Sequence, residues 1–347
     1  MSKQFFGKTS TGAEVSKYTI ENAKGMQAVV TDFGATVVDL LVPDRDGNMV
    51  DVSLGYDTVE SYEEETTYFG ATVGPYANRI ADAKFEIDGV VYELDVNDNE
   101  NNLHSGYNTW SKKVWDVKEQ SADKITFTYT AKHLEQGFPG NITCDVTYEV
   151  TENNELAISY YAVSDQKTTL NMTNHAYFNL NGWASGDVYG QELMIKASGY
   201  TPVKSSHAIP TGEVAPVEGT PFDFRVAKPI GRDIDVDFEQ LTFGKGYDHN
   251  FAIDKETDGV EKVAEAYAPE SGIVMDVLTD CVGIQLYTAN FIEGQIGKNG
   301  HKHAKREGFC LETQYFPNSV NDANFVRPIT EANVPYETKT VYAFRVK

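Results

Sequence analysis

Lys124-Ile125-Thr126-Phe127-Thr128-Tyr129-Thr130-Ala131 alternates without a break. Ile125, Phe127 and Tyr129 fall on one side and the threonines on the other, the period-two pattern of a strand with one buried face. The flanking chain reads the same way. Phe85 to Val96 divides into two strands at Asp88-Gly89, a pair suited to the positive φ angles of a type I′ hairpin. Asn141 to Val150 and Glu155 to Ser164 surround a Glu152-Asn153-Asn154 turn. Glu261 to Ala268 and Ile273 to Thr279 surround Pro269-Glu270-Ser271-Gly272, and Thr338 to Lys347 reads as a closing strand. Twenty tyrosines and eighteen phenylalanines suit pleated, half-buried surfaces. Helical spacing over three turns is scarce. Consecutive hairpins without intervening helices predict an all-β fold, a large antiparallel β-sandwich.

The chain shows no repeat of fixed period, which argues against a propeller. Nothing reads as a linker, and Thr201 to Pro229 reads as long loops with scattered apolar residues. The expectation is one domain over residues 1–347. Lys plus Arg total 29 against 52 Asp plus Glu, a net charge of −23. Such a chain repels nucleic-acid phosphates and anionic membranes. The same charge discourages self-association, so a monomer is expected. Cys144, Cys281 and Cys310 are too few and too scattered for a disulfide framework and fit a reducing, cytoplasmic setting. The N-terminus lacks a signal-peptide pattern, and no apolar run reaches the roughly 18 residues of a membrane helix.

Five segments place polar side chains among apolar neighbours: 74–80, 102–106, 173–180, 246–251 and 308–318. Burying such groups without partners costs about 2–7 kcal/mol each, so they satisfy one another or a polar ligand. Read as a strand, 174–180 puts His175, Tyr177 and Asn179 on one face. Glu312 and Gln314 share a face in the same way. Taken alone, His175 reads as a core histidine, and Glu312 reads equally well as an ion-pair partner of Arg79. Together, Asn78, Arg79, His104, His175, Asp248, Gln285 and Tyr287 supply the donors and acceptors that a polyol needs. A histidine and a carboxylate are also the pair suited to moving protons between two oxygens near neutral pH.

These segments resemble the aldose 1-epimerase family, also called galactose mutarotase. The resemblance lies in Asn78-Arg79-Ile80, Asn102-Leu103-His104, Thr173 to Leu180, Tyr247-Asp248-His249 and Glu312-Thr313-Gln314, in the family's order and across essentially the whole chain. It implies a mutarotase-type sandwich acting on a free monosaccharide, a hexopyranose, without cofactor or metal. By that resemblance Glu312 is the general base and His175 the general acid, with His104 near the ring oxygen and hydroxyls. Arg79 and Asp248 bind hydroxyls, and Asn78, Tyr177 and Gln285 help hold the sugar, with Tyr287 in the same hydroxyl-binding set. Pro75 stands where many relatives carry arginine, and Ser105 where a second glycine is common; both bear on substrate preference. Anomer exchange through the open aldehyde needs Glu312 ionised and His175 protonated, and a carboxylate, Glu312 or Asp248, to hold that proton against desolvation.

Other readings are weaker. His301-Lys302-His303 has metal-ligand spacing but lies among charged and glycine residues, as a solvated loop would. A cupin-type metal site is disfavoured by ligands spread over five segments with Arg79 among them. Tyr62 to Glu65 and Asn97 to Asn102 also read as solvated loops. Neither GxxxxGK[ST] nor GxGxxG opens a helix, so nucleotide binding lacks support. A hexose-6-phosphate 1-epimerase would call for clustered cations, and the chain has only seven arginines. A non-catalytic sugar-binding module would need the hydroxyl-binding groups but not both His175 and Glu312.

Overall fold

The computed structural model describes residues 2–64 and 66–347. Among them, strand pairing builds three main antiparallel sheets. The largest has nine strands, in the order Asp116–Gln120, Lys124–Ala131, Ile142–Thr151, Glu155–Ser164, Tyr336–Val346, Ile273–Thr279, Glu261–Tyr267, Glu192–Ile195 and Lys228–Pro229. Lys124–Ala131 pairs residue for residue with Ile142–Thr151, from Lys124 opposite Glu149 to Ala131 opposite Ile142. Unbroken alternation on a buried face allows no slip, since one residue of shift would turn every apolar side chain outward. Asp88 and Gly89 both have positive φ, 51° and 81°, between Lys84–Ile87 and Val90–Glu93, as the hairpin requires. The closing strand, Tyr336–Val346, fills the centre of the large sheet between Glu155–Ser164 and Ile273–Thr279.

A second sheet, of five strands, runs Ala215–Pro216, Gly199–Tyr200, Asp248–Ala252, Gly283–Tyr287 and Cys310–Gln314. It packs on the large sheet: the Tyr342 hydroxyl donates to the Leu311 carbonyl at 3.0 Å, and the Thr313 and Thr340 hydroxyls hydrogen-bond directly. A third sheet comprises Ser2–Lys8, Glu14–Glu21, Gln27–Thr31, Thr36–Pro43 and Met49–Asp51. It meets the large sheet through Tyr18 on Phe127, ring centres 5.8 Å apart, and through the Tyr148 hydroxyl bonded to the Ala35 carbonyl. Ile20 and Val30, Phe127 and Ile158, and Phe251 and Leu311 belong to one continuous core drawn from all three sheets. Each buried side chain of this size contributes about 1.5–3 kcal/mol, enough to hold the layers of the sandwich together.

Four local expectations need correction. Only Thr173–Asn174 of 173–180 is strand, paired with Thr72–Val73. Beyond it the chain crosses between sheets, and only Phe178 bridges, to Ser53 and Phe309. Tyr62 to Glu64 is not a solvated loop: Val59–Glu64 is a short helix with Tyr62 buried against Tyr56 and Phe6, while Glu65 lies outside the described residues. Asn101 and Asn102 are buried because Asn102 donates to the Asp95 carbonyl and Asn97 brackets both backbone groups of Leu103. His303 is buried too, 2% exposed, with Glu307 bonded to its Nδ1 while its Nε2 is buried without a hydrogen-bond partner.

Candidate active site

Register places the first set of site residues. Glu312 lies opposite Gln285, which lies opposite Asn250; Cys310 lies opposite Tyr287, which lies opposite Asp248. Alternation therefore lays two rows of side chains on one face of the second sheet. Leu311 and Thr313 point the other way, toward the large sheet.

Two short strand pairings bring the rest over that face. Arg79–Ile80 pairs with Asn102–Leu103, and beyond the pair the His104 N–H donates to the Asn78 carbonyl at 3.1 Å. In return the Asn78 N–H donates to Nδ1 of His104 at 3.1 Å. A backbone amide can only donate, so neutral His104 carries its proton on Nε2 and acts as a hydrogen-bond donor. His175 follows Thr173–Asn174, its N–H bonded to Ala71 and its carbonyl to Gly70. Gly70 has φ +66°, and a Cβ there would run into the Val37 carbonyl, so only glycine fits.

The result is a cleft of about 200 Å³ lined by Asn78, Arg79, His104, His175, Tyr177, Asp248, Tyr287 and Glu312, among others. Eight of the nine residues expected from the sequence thus meet in one place. Gln285 stands behind the wall, donating to Asp248 Oδ1 at 2.7 Å, so it orients a carboxylate instead of lining the cleft. Arg79 is paired with Asp98, Nε to Oδ2 at 2.7 Å, and not with Glu312. Ser105 bonds the backbone of Tyr76, and neither Ser105 nor Pro75 lines the cleft.

His175 and Glu312 face each other, Nε2 to Oε1 at 3.6 Å, with side chains 7% and 3% exposed. Glu312 Oε2 is buried and has no hydrogen-bond partner. Burial pushes the Glu312 carboxyl well above its ordinary range, reinforced by Asp248 and opposed by Arg79. Burial pulls His175 down to about 4, and His104 well below its ordinary value, the latter helped by His175 and Arg79. The expected protonated His175 is therefore corrected. Desolvation outweighs the neighbouring carboxylates at His175 and drives it toward the neutral imidazole, and it favours the uncharged form of Glu312 in the same way. Asp248 is also pushed up by burial, against Arg79 and the Gln285 bond.

Sequence reasoning missed several residues. Tyr68 lines the cleft, with its ring 4.8 Å from His104 and stacked at 5.9 Å on His175. Tyr177, expected from the sequence, also stacks on His175, at 5.0 Å, and donates to the Thr67 carbonyl, so two aromatic rings pack on the imidazole. Phe291, Ile292 and Gln295 form a further wall, and Cys310 Sγ lies 3.5 Å from His175 Nδ1. The Tyr68-Phe69-Gly70 run was the available signal: a glycine after two aromatics beside an acidic stretch. A ring nitrogen from each of His104 and His175 and a Glu312 oxygen lie within 4.8 Å of one another, near enough for a metal, but Arg79 shares that wall and opposes a cation.

Comparison with known proteins agrees with this geometry. The family model for aldose 1-epimerase matches residues 16–343. Galactose mutarotase from Homo sapiens is 38% identical over 338 residues, covering 97% of this chain and 96% of the relative. Aldose 1-epimerase from Escherichia coli (strain K12) is 34% identical over 328 residues, covering 94% of each. Among solved structures, an aldose epimerase homologue from C. elegans superposes with a TM-score of 0.88 at 29% identity, covering 96% of this chain and 99% of that one. Sharing sequence and fold with these proteins over nearly its full length, the chain belongs to the aldose 1-epimerase family.

Proposed function

We propose that the protein interconverts the α and β anomers of free hexoses such as galactose and glucose, with His175 and Glu312 exchanging protons with the ring. The observation that carries this reading is the unpartnered, buried Oε2 of Glu312, whose other oxygen, Oε1, lies 3.6 Å from His175 Nε2 in the same cleft wall.

A sugar hydroxyl donating to Oε2 favours the carboxylate form and moves the pair's single proton to His175. Ring opening then takes two transfers. Glu312 removes the proton from the C1 hydroxyl as the C1–O5 bond breaks, and His175 gives its proton to O5. Atoms and charge balance: the sugar becomes the open aldehyde, and the pair returns to carboxylic acid and neutral imidazole. Burial favours that neutral pair over the ion pair, which stabilises the bound open-chain sugar. Rotation about C1–C2 presents the other carbonyl face, and the transfers run in reverse. His104, a neutral donor, serves the ring oxygen or a hydroxyl, and Arg79 and Asp248 hold hydroxyls.

Free sugars fit better than sugar phosphates. Among the described residues lining the cleft, Arg79 is the one formal cation, and it is already paired with Asp98. Asp248, an acidic group in the same wall, gives a dianion no further support. Polarimetry of freshly dissolved α-D-galactose, α-D-glucose and glucose 6-phosphate tests the proposal. The expected result is accelerated rotation change on the free sugars and little on the phosphate. Calorimetric sugar binding without acceleration would instead favour a non-catalytic module.

A further inference from the structure

His301, His303 and Glu307 lie outside the sugar cleft and take no part in the proton transfers. His301 Nε2 and His303 Nδ1 each stand 2.8 Å from one oxygen, Oε2 of Glu307. One ligand atom from each of the three residues lies within 4.8 Å of the other two. The convergence is built by the backbone. Ile296 bridges Lys302, and the His303 N–H and carbonyl bond Gln295 and Gly294, so residues two apart turn their rings to the same side. Gly297 leaves the space that the His303 ring fills: a Cβ there would collide with its Nε2. Phe69 packs on His303 at 5.6 Å and Trp183 on His301 at 5.7 Å, which fixes both rings. Asn179 donates to the Glu307 carbonyl at 2.9 Å and anchors the third side chain.

Two imidazoles and a carboxylate aimed at one point form a donor set suited to zinc-like ions and not to calcium or magnesium, which take oxygen ligands. Zinc holds nitrogen and carboxylate oxygen at about 2.0–2.2 Å in a tetrahedron, so the three donors need to spread by only roughly half an ångström. Lys298, whose charge acts on His303, is already matched by Asp39 at 2.8 Å and Asp51 at 2.6 Å, which lessens its opposition to an ion. His301 is only partly buried, its side chain 29% exposed, and gives an ion a route in and a solvent-facing fourth position. We propose that His301 Nε2, His303 Nδ1 and Glu307 Oε2 form a binding site for a divalent transition metal of the zinc class. The same loop continues through Gln295, Ile292 and Phe291 into the cleft wall, so a bound ion pins that wall from behind.

Cobalt titration of the chelator-stripped full-length protein tests the site, since tetrahedral cobalt absorbs in the visible. The expected result is one equivalent bound, displaced by zinc and retained in His175→Asn, which disrupts the other convergent group at His104, His175 and Glu312. In His301→Ala and Glu307→Gln the tetrahedral spectrum is lost, and affinity falls by at least the roughly 10- to 100-fold that losing even an outer partner of a metal ligand costs. Thermal unfolding of both variants without metal confirms that they fold. The proposal is overturned if the wild type binds no stoichiometric cobalt, if binding survives loss of both His301 and Glu307, or if it disappears with His175→Asn alone.

Discussion

His175 Nε2 lies 3.6 Å from Glu312 Oε1, and both side chains are withdrawn from solvent. Removing the carboxylate should stop the base step. Glu312→Gln is expected to lower kcat by about 10²- to 10⁴-fold, the usual worth of a positioned acid or base. Burial already favours the uncharged carboxyl, so the isosteric neutral amide should leave thermal stability near that of the wild type. Polarimetry with calorimetric unfolding checks both parts, and near-normal turnover would remove Glu312 from the reaction.

The pair works with one proton. Turnover should fail on the acid side when His175 gains a second proton, near its lowered value of about 4, and on the alkaline side when Glu312 loses its proton, above the ordinary carboxylate range. The pH profile of kcat/KM reports these free-enzyme groups. An acid limb at the ordinary histidine value near 6.5 would contradict the neutral resting pair.

Stability should also respond to pH. His249, like His175, is buried and neutral, pulled down by burial to about 3 against about 4 for His175. The unfolded chain takes up protons on both below the ordinary value near 6.5, while the native state does not. For these two groups the unfolded state binds more protons, so their contribution to stability falls as pH drops from about 6.5 toward 4, while Glu312, Asp248 and Asp32, raised by burial, contribute the opposite slope. The test is therefore the difference between proteins: His249→Gln should lose less melting temperature than the wild type between about pH 6.5 and 4, without abolishing activity.

His104 accepts from the Asn78 amide and presents Nε2–H as a donor. His104→Ala should leave that amide and the sugar oxygen unpaired, at a cost of about 1–3 kcal/mol for each buried group. A fall in kcat/KM, partly recovered in His104→Gln, is the expected kinetic result. Equal activity in all three proteins would show that the donor is not used.

Gly70 carries the His175 carbonyl bond at φ +66°, where a Cβ meets the Val37 backbone. Gly70→Ala is expected to lower the melting temperature and the activity together, because the backbone has to move. The loss should exceed the roughly 0.4–1 kcal/mol scale on which Gly-to-Ala changes act at compatible positions. Unchanged unfolding would mean that the turn relaxes freely.

Much of the fold was legible because hairpins are local. Asp88-Gly89 and the alternation over Lys124–Ala131 carry their own instructions in adjacent residues. The site was legible through its motifs, with Asn78, Arg79, His104, His175, Asp248 and Glu312 all present in family order. Tyr68 and the buried His303 were hidden because their partners, His175 and Glu307, are reached only after the chain crosses between sheets or turns back on itself. Asn97 to Asn102 looked solvated because composition counts polar side chains without showing that they bond buried backbone.

The order of residues alone determined the strands, the turns, the net charge and the types of side chain available for sugar chemistry, since these depend on neighbours in the chain. Tertiary structure alone decided that Glu312 stands opposite Gln285, that Gln285 serves Asp248, and that burial raises the Glu312 carboxyl above its ordinary range. Strand register and loss of water are set by whatever packs above a residue, and no local pattern records that.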